Sequence, residues 1–205
     1  MTPAYWTRAT LELTARDEVM GRLIQRFDDI ALKTRGNAFS TLARSIVGQQ
    51  ISVKAAESVW QKVIAAIPEI SPHTIHAAEE DLLRACGLSL RKITYLKDLS
   101  RHFHEGVLDV TGWNAMSDEA LITQLVQVKG IGRWTAEMFL IFHMLRPDVL
   151  PLDDIGLQRA ISQHYFASQP VGKKAIQELA KTWQPWRSVA TWYLWRSLDP
   201  LPVEY

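Results

Sequence analysis

Apolar positions recur along almost the whole chain at the spacing of helices rather than strands. Val19, Met20, Leu23, Ile24 and Phe27 form one stripe, and Leu42, Ile46 and Val47 form part of another. Val53, Ala56, Trp60, Val63, Ile64 and Ile67 make a third, behind Ser52, whose hydroxyl suits an N-cap. Ser71-Pro72 sets a capping residue before a proline at the first helical position. Asp81–Cys86 and Leu90–Phe103 read as two helices separated by Gly87. A further helix is predicted over Ser117–Val128, capped by Ser117, with Asp118 and Glu119 suited to its first turn. Arg133–Leu145 has almost no polar face, which predicts a helix buried all round, the spine of the fold. It should end near Arg146, because Pro147 disfavours helix at the residue before it. Only Gly106–Val110 hints at extended structure, so the fold class predicted is all-α. No internal repeat, low-complexity tract or long linker interrupts the pattern.

Charge narrows the partners little. The 205 residues carry 23 basic and 22 acidic side chains, so long-range steering toward a polyanion is weak and any such affinity must come from local contacts. The single cysteine, Cys86, excludes internal disulfides and reads as a small buried apolar residue. His102 and His104 are two apart and share no helical face. His73 and His76 could share one, but no cysteine or acidic partner completes a zinc set. No signal peptide or membrane span is visible, which predicts a soluble intracellular protein, cytoplasmic in a bacterium or nuclear in a eukaryote.

Two features carry candidate chemistry. Gly130-Ile131-Gly132 lies between two predicted helices, where glycines can expose backbone N–H groups to a phosphate and Ile131 can bury in the interhelical angle. An ordinary interhelical turn with two glycines fits the same three residues. Asp154 precedes Ile155-Gly156-Leu157, which can open a helix, so it can serve as a cap. A carboxylate there can also stabilise a developing cation or accept a proton from water.

Taken together, Gly130-Ile131-Gly132-Arg133-Trp134-Thr135-Ala136, Leu150-Pro151-Leu152-Asp153-Asp154 and Trp183-Gln184-Pro185-Trp186-Arg187-Ser188 with Trp195 resemble the helix-hairpin-helix (HhH-GPD) DNA glycosylase superfamily. The likeness runs from about Phe39 to Leu198 and is strongest to its 3-methyladenine DNA glycosylase II branch. It implies two helical lobes with an intervening cleft: residues 1–35 plus 141–205 in one, and 36–140, with the hairpin at 117–140, in the other. It implies a monomer that binds double-stranded DNA, flips an alkylated purine from the stack and hydrolyses its N-glycosidic bond. Asp154 is then the catalytic carboxylate and the adjacent Asp153 a weaker candidate. Lys129, Gly130, Ile131, Gly132, Arg133 and Thr135 become the DNA-binding hairpin, and Gln49 or Gln50 the wedge that fills the gap. Trp195, Trp134, Met138 and Trp192 become pocket residues, with Trp6 a weaker one, because tryptophan faces attract cationic bases. Met138 departs from the family's aromatic residue at that place. Trp134 stands where strand-cutting members carry a nucleophilic lysine, which implies hydrolysis without lyase activity. Some members hold an iron–sulfur cluster on four cysteines, and one cysteine cannot build it. No cofactor is implied beyond a structural monovalent cation on the backbone carbonyls of Val126 and Val128. A non-catalytic helix-hairpin-helix module that binds DNA is the alternative.

Overall fold

The computed structural model describes residues 2–27, 31–33 and 36–198, and every regular element among them is helical. In chain order these are α1 (Trp6–Arg16), α2 (Glu18–Arg26), α3 (Ala38–Gly48), α4 (Val53–Ala66), α5 (Pro72–Ala77) and α6 (Glu80–Ala85). Then come α7 (Leu90–His104), a 3₁₀ turn (Trp113–Ala115), α8 (Asp118–Leu125), α9 (Arg133–Phe142), α10 (Ile155–Tyr165), α11 (Lys173–Ala180) and α12 (Arg187–Leu198). None of them is long and apolar enough to cross a membrane. The chain divides into a central unit, Arg35–Phe139, and a discontinuous unit built from Met1–Thr34 and Leu140–Glu204. Residue 35, where the first predicted segment ends, lies outside the described residues.

Side-chain caps set most of the starts. Asp17, Asn37, Ser52, Ser71, Ser89, Ser117 and Asp154 each accept an amide from the first turn that follows. Ser71 and Thr74 form a reciprocal capping box with Pro72 at the helix start. Two helices stop earlier than the apolar pattern predicts. α8 gives way at Leu125 to tighter bonds, Gln127 N to Gln124 O and Val128 N to Leu125 O. α9 ends at Phe142, not near Arg146: Leu145 adopts a left-handed conformation (φ 53°) and the Arg146 amide folds back onto Leu140 O at 2.9 Å. The stretch Gly106–Val110 is turn rather than strand, and Asp109 takes both the amide and the hydroxyl of Thr111. α1 and α11, which the apolar pattern does not announce, bury only Trp6, Ala9 and Leu13 and only Ile176 and Ala180.

In the central unit α7 packs against α3, α5 and α6, and α3 against α4. Its core includes Leu42, Ile46, Ile75, Leu83, Leu96 and Leu99. Trp113 sits between Phe103 and Phe139 in edge-on contacts at 6.1 and 5.5 Å. In the discontinuous unit α12 packs on α1, α2 and α10. The buried indole of Trp183 donates to Asp17 Oδ2 at 2.9 Å and that of Trp186 to Glu12 Oε2 at 2.8 Å. Each buried N–H is thereby satisfied by a carboxylate from the N-terminal helices.

Candidate active site

The link between α8 and α9 is anchored by two apolar side chains, Val128 and Ile131, both buried. Not all of its amides face outward as the sequence pattern predicts. The Lys129 amide donates to Asp98 Oδ2 at 2.8 Å and the Ile131 amide to Val128 O at 3.0 Å. Among the described residues no acceptor takes the amides of Gly130, Gly132 or Arg133. The two glycines differ in kind. Gly130 has φ +84°, and a Cβ there would lie 2.1 Å from the Tyr95 ring, so the fold itself requires glycine. A Cβ on Gly132 would meet nothing within 4 Å. Packing within the protein therefore gives no reason for glycine at 132.

Arg133, a predicted DNA contact, is engaged inside the hairpin. Its guanidinium pairs with Glu119 on α8 and with Glu137 on α9, so it cross-links the two arms with its charge offset. That hydrogen bond holds the Glu119 carboxyl below its usual range. Lys129 is exposed and Thr135 is buried in the first turn of α9. The Val128 carbonyl already accepts from Ile131, leaving it one lone pair for a hard cation. Among the described residues no group of histidine, cysteine or acidic side chains could hold a metal.

Asp98 is a residue that sequence reasoning misses. It lies 31 residues before Lys129 on α7, buried, with Oδ1 accepting from Arg101 at 2.9 Å. Burial pushes its carboxyl up, but the hydrogen bonds from the Lys129 amide and Arg101 prevail and leave it below the ordinary value.

The two glutamines separate. After α3, Gln49 is half-buried and its Nε2 donates to Gly130 O at 2.8 Å. Gln50 is exposed, left-handed (φ 60°) and accepts from Arg91 Nη2 at 3.1 Å. A non-glycine residue in that region costs roughly 1–2 kcal/mol. Lys92 Nζ holds Val47 O at 2.6 Å, and burial, then neighbouring Arg91, lower its pKa.

In the discontinuous unit, the loop after α9 is pinned to the start of α12. Arg187 makes a paired contact to Asp148, through Nε at 2.7 Å and Nη2 at 2.9 Å, and the Val149 amide donates to Ser188 Oγ at 2.9 Å. Asp154 then caps α10, with Oδ1 accepting from the Leu157 amide at 2.6 Å. The same oxygen accepts from Trp195 Nε1 at 2.8 Å. Trp195 lies flat on Phe142, 5.7 Å between centroids and 11° between planes. A Cβ on Gly156 would come within 3.1 Å of Asp154 Oδ1 and 3.4 Å of the Trp195 ring, which explains the glycine two residues past the carboxylate. Asp153 is exposed and pairs with Lys173 instead.

The remaining predicted pocket residues are placed unequally. Trp134 is 36% exposed at the start of α9 in the central unit. Met138 is 3% exposed and Trp192 6%; both serve packing and offer almost no open surface. Trp192 is enclosed by edge-on contacts with Trp6 and Tyr193 and by Arg196 over its ring. Trp6, likewise buried, belongs to that packing.

The profile of the HhH-GPD superfamily base excision DNA repair proteins matches residues 43–185. DNA-3-methyladenine glycosylase 1 of Schizosaccharomyces pombe is 31% identical to this chain, over 93% of it and 87% of the relative. YfjP of Bacillus subtilis is 32% identical over 80% of this chain, which spans only 60% of that relative's length. Among solved structures, that of Schizosaccharomyces pombe 3-methyladenine DNA glycosylase in complex with abasic DNA superposes with a TM-score of 0.79 at 29% identity, covering 97% of this chain and 99% of the other. The hairpin, the carboxylate loop and the aromatic helix thus occur in a chain that belongs to the HhH-GPD superfamily of base excision DNA repair proteins.

Proposed function

We propose that this chain is a monofunctional DNA glycosylase that removes alkylated purines of the 3-methyladenine and 7-methylguanine type from double-stranded DNA, acting as a monomer. The observation that carries the reading is the Asp154 carboxylate, fixed at once by the Leu157 amide and the Trp195 indole. The names of the relatives supply the substrate class.

The chemistry follows from charge. An alkylated purine is cationic while bound to the sugar. When the C1′–N bond breaks, the base takes the bonding pair and leaves neutral, and the positive charge passes to the sugar. Asp154 offers that charge a fixed anion, so stabilisation appears in the transition state rather than in the ground state. Water then adds its oxygen to C1′ and gives up a proton, for which the carboxylate is the acceptor. Water is the only co-reactant required. Trp134 has no amine, so it forms no Schiff base at the position where a lysine would.

DNA is held through backbone atoms. The amides of Gly130, Gly132 and Arg133, which have no acceptor among the described residues, take a phosphate at the start of α9, and the bare Cα of Gly132 lets it come close. Lys129 adds an exposed charge. The carbonyls of Val126 and Val128 supply oxygen ligands for a monovalent cation beside that phosphate. Gln50 enters the duplex in place of the extruded base, and Trp195 supplies aromatic surface for that base.

Incubation with methylated duplex DNA and chromatography of the freed bases tests this reading. Release of 3-methyladenine and 7-methylguanine, with no enzyme–DNA adduct trapped by borohydride, is expected. Release of uracil or oxidised bases alone would overturn the substrate class. Tight duplex binding with no base released would leave a non-catalytic DNA-binding module.

A further inference from the structure

We propose that Gln49 is a positioning residue that joins the wedge turn to the phosphate grip, so that the two engage DNA as one body. The proposal rests on the DNA reading above, and it assigns the two adjacent glutamines different work.

The peptide groups around Gly130 show why the tie matters. The Lys129 N–H is fixed by Asp98 at 2.8 Å. The Gly130 carbonyl is fixed by Gln49 Nε2 at 2.8 Å, across 81 residues of sequence. These groups belong to the peptide planes on either side of the Lys129–Gly130 peptide. Pinning both flanking planes sets the middle one, which carries the N–H of Gly130. The Tyr95 ring occupies the position of any Cβ at 130 and closes off movement in that direction.

The opposite end of the tie is held just as firmly. Lys92 and Arg91, on the same helix as Tyr95 and Asp98, grip Val47 O and Gln50 Oε1. One helix, α7, therefore frames both elements, and Gln49 alone bridges them directly among the hydrogen bonds of the described residues. Without that bridge, Gln50 can still enter a gap and the hairpin can still take a phosphate. Each would do so independently, and the advantage of doing both together would vanish.

A double-mutant cycle on DNA binding decides the matter, and it needs no catalysis. Wild type, Gln49→Met, Gln50→Ala and the double variant are titrated with an intact duplex and with a duplex containing a stable abasic-site analogue. In the wild-type background, Gln50→Ala should weaken binding to the abasic duplex about tenfold and to intact duplex little. In the Gln49→Met background the same change should cost less than about twofold. Gln49→Lys, which restores a donor to the Gly130 carbonyl, should recover part of the difference. Additive losses, or equal losses on both duplexes, would overturn the proposal. Asp98→Ala in the same cycle removes the acceptor that holds the hairpin at its other anchor. It should lower the Gln50 effect similarly, and a full Gln50 effect in that background would also overturn it. Failure of wild type to release any base would strike the glycosylase reading alone.

Discussion

The hairpin and the carboxylate loop present different kinds of atoms. The hairpin presents backbone N–H groups, which no substitution of their own residues except proline removes. Its performance depends on the side chains that orient those peptides: Asp98, Gln49 and, sterically, Tyr95 against Gly130. The carboxylate loop presents a side chain, and its neighbours hold that side chain directly: the Leu157 amide, the Trp195 indole and the space left by Gly156. The first site should therefore be most sensitive at residues that never touch the ligand, and the second at the acting residue itself.

The sharpest test of that contrast is Asp154→Asn, which keeps an acceptor for Leu157 and Trp195 but removes the charge. Single-turnover base release should fall by about 10² to 10³ or more with duplex binding retained; release at the wild-type rate would remove the carboxylate from the chemistry. Gly130→Ala should come next. Its positive φ and the overlap with Tyr95 predict a loss of about 2–4 kcal/mol, seen as a large fall in melting temperature, and an unchanged melting temperature would refute the steric argument. Trp195→Phe preserves a ring for stacking on Phe142 and deletes the donor to Asp154. A hydrogen bond to a charged group is worth about 1.5–3 kcal/mol, so the rate constant should drop roughly tenfold or more with little change in substrate affinity.

Gly132→Ala separates the two glycines. It should leave the melting temperature where it is and raise the dissociation constant for duplex DNA about fivefold, whereas loss of stability would show that packing needs glycine there after all. The smallest effect concerns pH. His164, hydrogen-bonded to Ser197, has its pKa lowered by burial first and then by Arg26 and Arg22. The unfolded chain then binds a proton at higher pH than the folded one, so this residue contributes stability above about pH 6.5 that is lost as pH falls through the lowered value. Melting temperatures between pH 7.5 and 5 should decline less steeply in His164→Gln; parallel curves would clear the residue of the effect.

What the sequence reveals and what it hides divide along contact range. Ser52, Ser71 and Ser117 are recognisable as caps because a cap bonds within its own first turn. Asp154 is legible for the same reason. Asp98, Tyr95 and Asp148 are invisible because each acts on a partner about 30 or more residues away, and nothing local marks an acidic or aromatic residue on a helix for that purpose. Arg133 shows its charge in the sequence but not the two carboxylates that offset it. The Gln49-Gln50 pair offers two equal amides, and only the backbone turn between them decides which is buried and which is exposed.

Tyr5 stacks on Trp186, and Glu12 accepts a hydrogen bond from the Trp186 indole, so the first helix is completed by a residue made 174 positions later. At about 5–20 residues per second, the ribosome needs on the order of ten to thirty seconds to supply it. Throughout that interval the Trp6–Ala9–Leu13 stripe has no native partner from α12, while the central segment emerges as one uninterrupted stretch. In a nascent chain of this topology α1 can pack on the adjacent α2 early and completes its packing only when α12 arrives.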